Sequence, residues 1–298
     1  MKDLIKACRP KQWTKNLLVF AAPFFSFTTS SEIWIASFIC FISFCLTSSS
    51  IYLINDTIDI NSDKIHPYKK NRPIASGKIS IKKAIISSLL IFAASLFIAS
   101  SINNISVYIL IIYFSVQIAY CFRLKNEPFL DIFCISFGFL LRAIAGVKSS
   151  NFDFSPWFLL SIGLLALFLA IEKRKAELHH VINMKIKTRK SLKRYSLSLL
   201  NRAESIVSTS AFMSYSLWAV GPSINGSTKE SMIITIPFVL LGIFRYQLIT
   251  DPKERLRREI YNPNVNPEKP EEILLSDKGI LLSILGWLLS IAFIGFLK

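Results

Sequence analysis

Nine mostly apolar stretches, near residues 16–29, 33–54, 84–102, 105–122, 129–147, 156–172, 204–222, 231–250 and 279–297, run through a chain of 298 residues. A helix needs about 20 such residues to cross the hydrocarbon of a bilayer. The pattern therefore predicts an all-α, polytopic membrane protein with nine transmembrane helices in a single domain over 1–298. The first stretch is the weakest, because Pro23 interrupts it and Ser and Thr follow. The 52% hydrophobic content and 24 Phe agree with a membrane protein and exclude an ordinary soluble domain.

The basic residues test this topology independently, since cytoplasmic loops carry the Lys and Arg excess. With the N-terminus inside, residues 1–15, 64–83, 123–125, 173–202 and 253–278 hold 30 of the 35 Lys and Arg. Only Lys148, Lys229 and Lys298 fall outside, and Arg142 and Arg245 fall within helices. The formal charge of +16 thus follows topology. It suits anionic head groups and phosphorylated substrates rather than nucleic acid. No cleavable signal peptide is expected, as the basic amino end reaches Lys15 with no small-residue cleavage site behind a short apolar core. The five Cys form no CxxC pair and read as packing residues, and the adjacent His179 and His180 lack zinc-ligand spacing.

The strongest chemical signal is Asn55-Asp56-Thr57-Ile58-Asp59-Ile60-Asn61-Ser62-Asp63, at the inner end of the second stretch. On a continuous helix Asn55, Asp59 and Asp63 recur at i, i+4 and i+8, and Asp56 joins their face. All four can address one cavity. Clustered carboxylates beside lipid repel one another and need a counter-ion. Magnesium held by carboxylates and phosphate oxygens would supply it, which makes Asn55, Asp56, Asp59 and Asp63 the candidate metal ligands.

Four inner segments carry the remaining polar chemistry, and one cytoplasm-facing cavity would unite them. The first is RPKQWTKN, in which Lys11 and Trp13 suit an interfacial anchor, while Gln12, Lys15 and Asn16 are candidates for reaching a phosphate. The second is the loop HPYKKNRP, where Pro67 and Pro73 restrict the backbone around Lys69 and Arg72, both candidate phosphate ligands. The third runs from Tyr120 through Lys125 to Asp131 and Arg142. A buried Arg142 calls for an anionic partner, either a substrate phosphate or a carboxylate from another helix. The fourth is EKRKAEL, with Lys173 and Arg174 spaced to pair with Glu177 in part as ordinary surface salt bridges. Beyond it, KIKTRKSLKRY reads as a membrane-surface helix, and residues 262–279 as an inner loop.

The NDxxDxxxD motif, the HPxKxxRPIASG loop, YxxxxK and the helix count together resemble the UbiA superfamily of intramembrane prenyltransferases, over nearly the whole chain. RPKQWTKN, GFLLRAIAG and KRKAEL resemble most its phosphoribosyl-transferring branch, which acts on decaprenyl phosphate. Typical aromatic prenyltransferases of the superfamily carry a second DxxxD motif where this chain has EKRKAEL. Cationic Lys173 and Arg174 would suit an extra donor phosphate instead.

The resemblance implies that a polyprenyl phosphate attacks C1 of 5-phosphoribosyl 1-diphosphate and expels diphosphate, with Mg2+ as cofactor. The product would feed an arabinose donor for cell-envelope glycan. Asp56, Asp59, Asp63 and Lys125 are the expected catalytic residues. Gln12, Lys15, Asn16, Asn55, Lys69, Arg72, Tyr120, Arg142, Lys173, Arg174 and Glu177 are the expected substrate contacts. The enzyme would sit in the cytoplasmic membrane with its site facing the cytoplasm; no oligomeric state is read from the sequence. The alternatives are prenyl transfer from a prenyl diphosphate to an aromatic acceptor, and a non-enzymatic transporter, for which no inverted repeat is evident.

Overall fold

The computed structural model describes residues 2–65, 69–150, 155–184, 191–222, 226–227, 229–251, 253–254, 257 and 276–296. Among them every regular element is a helix, with no strand. His66-Pro67-Tyr68 of the basic loop, residues 185–190 of the expected surface helix and the 262–275 loop lie outside the described residues, as do the side chains of His179 and His180. The chain divides into two compact units, Met1–Asp153 and Phe154–Lys298.

The first unit is built on α3 (Ser31–Ile58), a helix of 28 residues. One of its faces is a run of small hydroxyl residues, and these pair with α5 (Ile81–Ser100): Ser50 with Ser88 at 2.8 Å, and Thr47 donating to Ser95 at 2.9 Å. Small side chains let the two backbones approach, and hydrogen bonds between hydroxyls replace those that lipid cannot offer. Against its other faces pack α6 (Asn104–Phe122) and α7 (Leu130–Ser149), around Phe44, Leu110, Tyr113 and Leu141. Phe97 and Leu90 of α5 and Tyr108 of α6 stay exposed, as side chains facing lipid would.

The amino end is less regular. After α1 (Lys2–Ala7) the chain turns at Arg9 into a 3-10 helix over Pro10–Phe20, then the short α2 (Ala21–Phe25). A run of eleven 3-10 residues is long for that geometry. It lies close against α7: a Cβ on Gly146 would come 2.1 Å from the Val19 carbonyl oxygen, so only glycine admits this approach.

The second unit contains α8 (Pro156–Met184), α9 (Leu197–Ala219), α10 (Ile236–Thr250) and α11 (Lys278–Phe296). Trp287 of α11 donates to the Tyr215 hydroxyl of α9 at 2.8 Å, and Tyr215 pairs with Thr235 at 2.6 Å. Arg245 of α10 grips Asp277 through two bonds of 2.9 and 3.1 Å, while Asp277 also caps α11 by accepting the Ile280 N–H. Arg245, inside an apolar stretch of the sequence, thus has its counter-ion at the start of the last helix. Ser191–Arg194, the described end of the expected surface helix, is a 3-10 turn.

Seven of the described helical segments are long and apolar enough to cross a membrane: α3, α5, α6, α7, Pro156–Leu178 of α8, Glu230–Thr250 including α10, and α11. The chain is a multi-pass membrane protein. The stretch at 204–222 falls on α9, whose first turns carry Asn201, Arg202 and Glu204. The first stretch, at 16–29, is the one shared by the 3-10 helix and α2.

Candidate active site

The acidic motif straddles a break. Asp56 lies in the last turn of α3, Asp59 is its C-cap, and Asp63 belongs to α4 (Ile60–Ile65). The main-chain bonds still pass through, Asp59 N–H to the Asn55 carbonyl at 2.9 Å and Asp63 N–H to the Asp59 carbonyl at 2.8 Å. The motif is therefore a bent helix rather than the continuous one that the i, i+4, i+8 spacing assumes. Carboxylates at a helix C-terminus oppose the macrodipole, at a cost of about 0.3–1 kcal/mol each when exposed. No basic residue in that turn offsets it.

The compensation comes from three other places in the first unit. Arg9 pairs with Asp56, Arg72 Nη1 donates to both Asp56 (3.1 Å) and Asp63 (2.6 Å), and Lys125 Nζ donates to Asp59 at 2.5 Å. The Asp56 and Asp63 side chains are each 3% exposed, against 26% for Arg9 and 25% for Arg72. The carboxylates form the fixed inner wall and the guanidiniums the wet outer one.

Local structure explains how each cation arrives. Arg72 sits at the end of the short 3-10 turn Lys69–Asn71, and Ser76 N–H bonds back to its carbonyl. Ile74 and Ile79 anchor this loop by burying themselves with Ala7, Leu53 and Ala84. Gly77, at φ 78°, makes the turn that returns the chain to Ser80, whose hydroxyl caps α5. Lys125 is carried by the 3-10 turn Leu124–Asn126 between α6 and α7.

Arg9 has a left-handed backbone, φ 52° and ψ 61°, immediately before Pro10. Such a conformation in a non-glycine residue costs of order 1–3 kcal/mol and persists only where neighbours impose it. Here the Asp56 ion pair and the Tyr52 ring, 4.8 Å from the guanidinium carbon, hold the side chain. A cleft of about 250 Å³ opens alongside, lined by Lys6, Ala7, Arg9, Asp56, Asn71, Arg72 and Pro73. Arg9 was not among the sequence-derived site residues. The signal for it was its place in RPKQWTKN, yet nothing local tells that its backbone turns back onto Asp56. Nearby Cys8 is half-buried, and burial pushes its thiol up, which suits a packing role.

Of the four expected metal-binding residues, only Asp56 lines the cleft. Asn55 is half-buried at the end of α3, and Asp59 is turned to Lys125. Magnesium usually takes one or two carboxylates and completes its shell with phosphate and water. Asp56 and Asp63, converging on one Arg72 nitrogen, are a donor pair of that kind. Among the described residues no group of three His, Cys, Asp or Glu is gathered to hold a metal by itself.

Asn16 and Arg142 form a second, interior cluster. Arg142 donates to Asn16 Oδ1 (2.7 Å), to the Gly138 carbonyl (2.6 Å) and to the Tyr113 hydroxyl (2.7 Å), and lies over the rings of Phe44, Tyr113 and Phe139. Asn16 is fully buried and also donates to Ser48 at 3.2 Å. Among the described residues the partners of Arg142 are neutral acceptors and aromatic faces, which spread the charge over several dipoles. Gln12 and Lys15 are half-buried on the same 3-10 helix, Trp13 donates to Ser49 at 3.1 Å, and Lys69 and Tyr120 are half-buried.

In the second unit, EKRKAEL forms the inner part of α8. Arg174 pairs with Glu177 at 2.6 Å, as the spacing suggested, but Arg174 is 1% exposed, so the pair is no ordinary surface bridge. Lys173 is half-buried. The sequence reasoning missed what its neighbours do: Lys175 bridges Glu172 (2.8 Å) and Glu204 of α9 (2.6 Å), and Gln247 of α10 donates to Glu204 at 2.8 Å. Among the described residues Glu172 Oε2 is buried without a hydrogen-bond partner.

Residues 17–261 match the UbiA prenyltransferase family. The chain belongs to that family. The match runs through the acidic motif, the basic loop and EKRKAEL. A UbiA relative named decaprenyl-phosphate phosphoribosyltransferase, from Mycolicibacterium smegmatis, is 36% identical over 97% of this chain and 91% of its own length. Another of that name, from Corynebacterium glutamicum, is 35% identical over 97% of this chain and 85% of its own. Among solved structures, a UbiA homologue from Archaeoglobus fulgidus bound to GPP and Mg2+ superposes with a TM-score of 0.68 at 17% identity, covering 99% of this chain and 98% of the other. That likeness establishes the UbiA fold.

Proposed function

We propose that this chain transfers 5-phosphoribose from 5-phosphoribosyl 1-diphosphate to a polyprenyl phosphate of the decaprenyl type, releasing diphosphate. The observation that carries this reading is the 36% identity, over 97% of the chain, to a decaprenyl-phosphate phosphoribosyltransferase. Two features of the chain support it: in the first unit, buried carboxylates facing arginines beside a cleft, and, in the second, cationic EKRKAEL where the family resemblance implies a second acidic motif in aromatic prenyltransferases.

In the reaction an acceptor phosphate oxygen bonds to C1, the bond from C1 to the diphosphate oxygen breaks, and its electron pair leaves with diphosphate. The nucleophile is already anionic at neutral pH, so no general base is needed. As at other anomeric centres, the transition state resembles an oxocarbenium ion, and the work lies in holding two anions in line while charge builds on the leaving group.

Asp56 and Asp63 would hold Mg2+; Asn55 and Asp59, expected with them, lie outside the cleft lining, and Asp59 is bonded to Lys125. As a Lewis acid Mg2+ neutralises charge on the leaving diphosphate. Arg72, Lys69, Lys173 and Arg174 are assigned to donor phosphates, with Glu177 orienting Arg174. Lys125 fixes Asp59 and, with Tyr120, borders the donor. Gln12 and Lys15 are assigned to the acceptor phosphate; Asn16, expected beside them, is sealed in by its bonds with Arg142 and Ser48 and braces their helix instead. The excess of basic residues in these segments supports a site facing the cytoplasm, in the cytoplasmic membrane. The product would serve as a lipid-linked pentose precursor for the cell envelope.

The test is incubation of the detergent-purified protein with Mg2+, labelled 5-phosphoribosyl 1-diphosphate and decaprenyl phosphate. Label entering the organic phase as acid-labile lipid phosphoribose, and lost with chelator, is expected. Turnover of a prenyl diphosphate onto an aromatic acceptor, with no such label, would move the chain to the prenyltransferase branch.

A further inference from the structure

Each carboxylate of the acidic motif is neutralised by a side chain of the protein itself: Asp56 by Arg9 and Arg72, Asp63 by Arg72, Asp59 by Lys125. Among the described residues these three carboxylates meet three cations, so the pairs are in balance on their own. A divalent cation added alone would crowd Arg9 and Arg72. Diphosphate added alone would crowd Asp56 and Asp63. Added together, the two let every charge find a new partner.

We propose that Arg9 and Arg72 are displaceable counter-ions, which hold Asp56 and Asp63 until a divalent cation arrives with a diphosphate and then transfer to the phosphate oxygens. This rests on the metal-diphosphate reading above. Both arginines line the cleft, and both are about a quarter exposed while their carboxylates are sealed in, so the guanidinium is the side free to move. A guanidinium fork suits phosphate as well as carboxylate. Arg9 has a further reason to move: its left-handed backbone before Pro10 is held in place by the ion pair that would be given up. Lys125 and Asp59 do not line the cleft and stay paired.

The arrangement makes metal and diphosphate binding strongly linked, and linkage is reciprocal: each raises the affinity of the other by the same factor. It also gives Arg9 effects of opposite sign on the two ligands. Removing it frees Asp56 for a metal and removes a donor from the diphosphate. A simple phosphate ligand would affect only the second, and a merely structural residue would weaken both.

The experiment measures Mn2+ binding to the full-length protein in detergent, from the free Mn2+ resonance signal, with and without inorganic diphosphate. In the wild type, diphosphate is expected to tighten Mn2+ by about 5- to 150-fold, the usual range of such couplings. In Arg9→Gln, Mn2+ alone should bind about 5-fold more tightly or better, and the tightening by diphosphate should shrink by at least the same factor. Arg9→Lys, which keeps the charge and loses the fork, should keep wild-type affinity for Mn2+ alone with a smaller tightening; it supplies the comparison if Arg9→Gln does not fold. Unchanged or weaker binding of Mn2+ alone in Arg9→Gln, or tighter binding in Arg9→Lys, overturns the exchange while leaving the metal-diphosphate reading intact. A wild type that binds Mn2+ neither alone nor with diphosphate overturns that reading and the exchange with it.

Discussion

The two units each contain a cluster of paired charges, and the clusters are built on different terms. In the first unit, three carboxylates on one bent helix face three cations from three separate segments, beside an open cleft. In the second, two carboxylates share one lysine, the participants come from α8, α9 and α10, and Glu172 is 1% exposed with one oxygen unpartnered among the described residues. The first is balanced and exchangeable. The second, among the described residues, sets two carboxylates on one lysine and is sealed, which is how a cross-link between helices differs from a ligand site. Ion pairs count for little as stability when exposed, and their loss is costly when one buried partner is left behind.

The largest effect that would break this contrast belongs to Asp56. Asp56→Asn should lower the rate of phosphoribosyl transfer by about 10³-fold, equivalent to roughly 4 kcal/mol, with the thermal transition retained. A rate within tenfold of the wild type would remove Asp56 from the site. Asp59→Asn should fall less far, because Asp59 is committed to Lys125 outside the cleft lining.

Next comes the cross-link. Lys175→Met leaves Glu172 and Glu204 without their shared cation, and should cost about 3–5 kcal/mol in denaturant titration. An unchanged midpoint would show that the cluster holds nothing together. Lys173→Ala should act on binding: a donor KM raised about tenfold at similar kcat is the signature of a contact made equally in ground and transition states. A loss confined to kcat would contradict its assignment to donor phosphate. The smallest effect sharpens the comparison most. Glu172→Gln removes one of the two carboxylate charges and leaves Glu204 with Lys175, so stability should hold or rise by about 1 kcal/mol, where the same change in a balanced cluster would lower it. A clear loss of stability would mean that the unpartnered oxygen has a role in the fold.

The membrane helices were legible because a span is a local property: an apolar run of bilayer length is visible in α3, α5, α6, α7, α8, α10 and α11 whatever surrounds it. The acidic motif and Arg72 were legible for a similar reason, being 16 residues or fewer apart. What could not be read were pairings set by tertiary packing. Arg9 reaches Asp56 across 47 residues through a left-handed backbone, and Lys175 reaches Glu204 across 29. The break at Asp59 was hidden because no Pro or Gly marks it in the motif. The 3-10 helix at Pro10–Phe20 was hidden because its composition is that of a short span, while its shape follows from the contact of Val19 with Gly146. Arg142 was read as wanting an anion because a sequence shows charges and not the carbonyls and rings that can share one.

The hydroxyl seam of α3 has a consequence for azimuth. Ser50 and Thr47 are each matched to one hydroxyl on α5, so the helix has a single rotational setting at which both are satisfied. One residue of rotation is about 100° on a helix. Such a turn would orphan both hydroxyls and swing Asp56, six residues further on, away from Arg72 and the cleft. The serines therefore index the shaft on which the acidic motif is mounted, and a substitution there would be felt as a change of aim at a site about 9 Å along the axis.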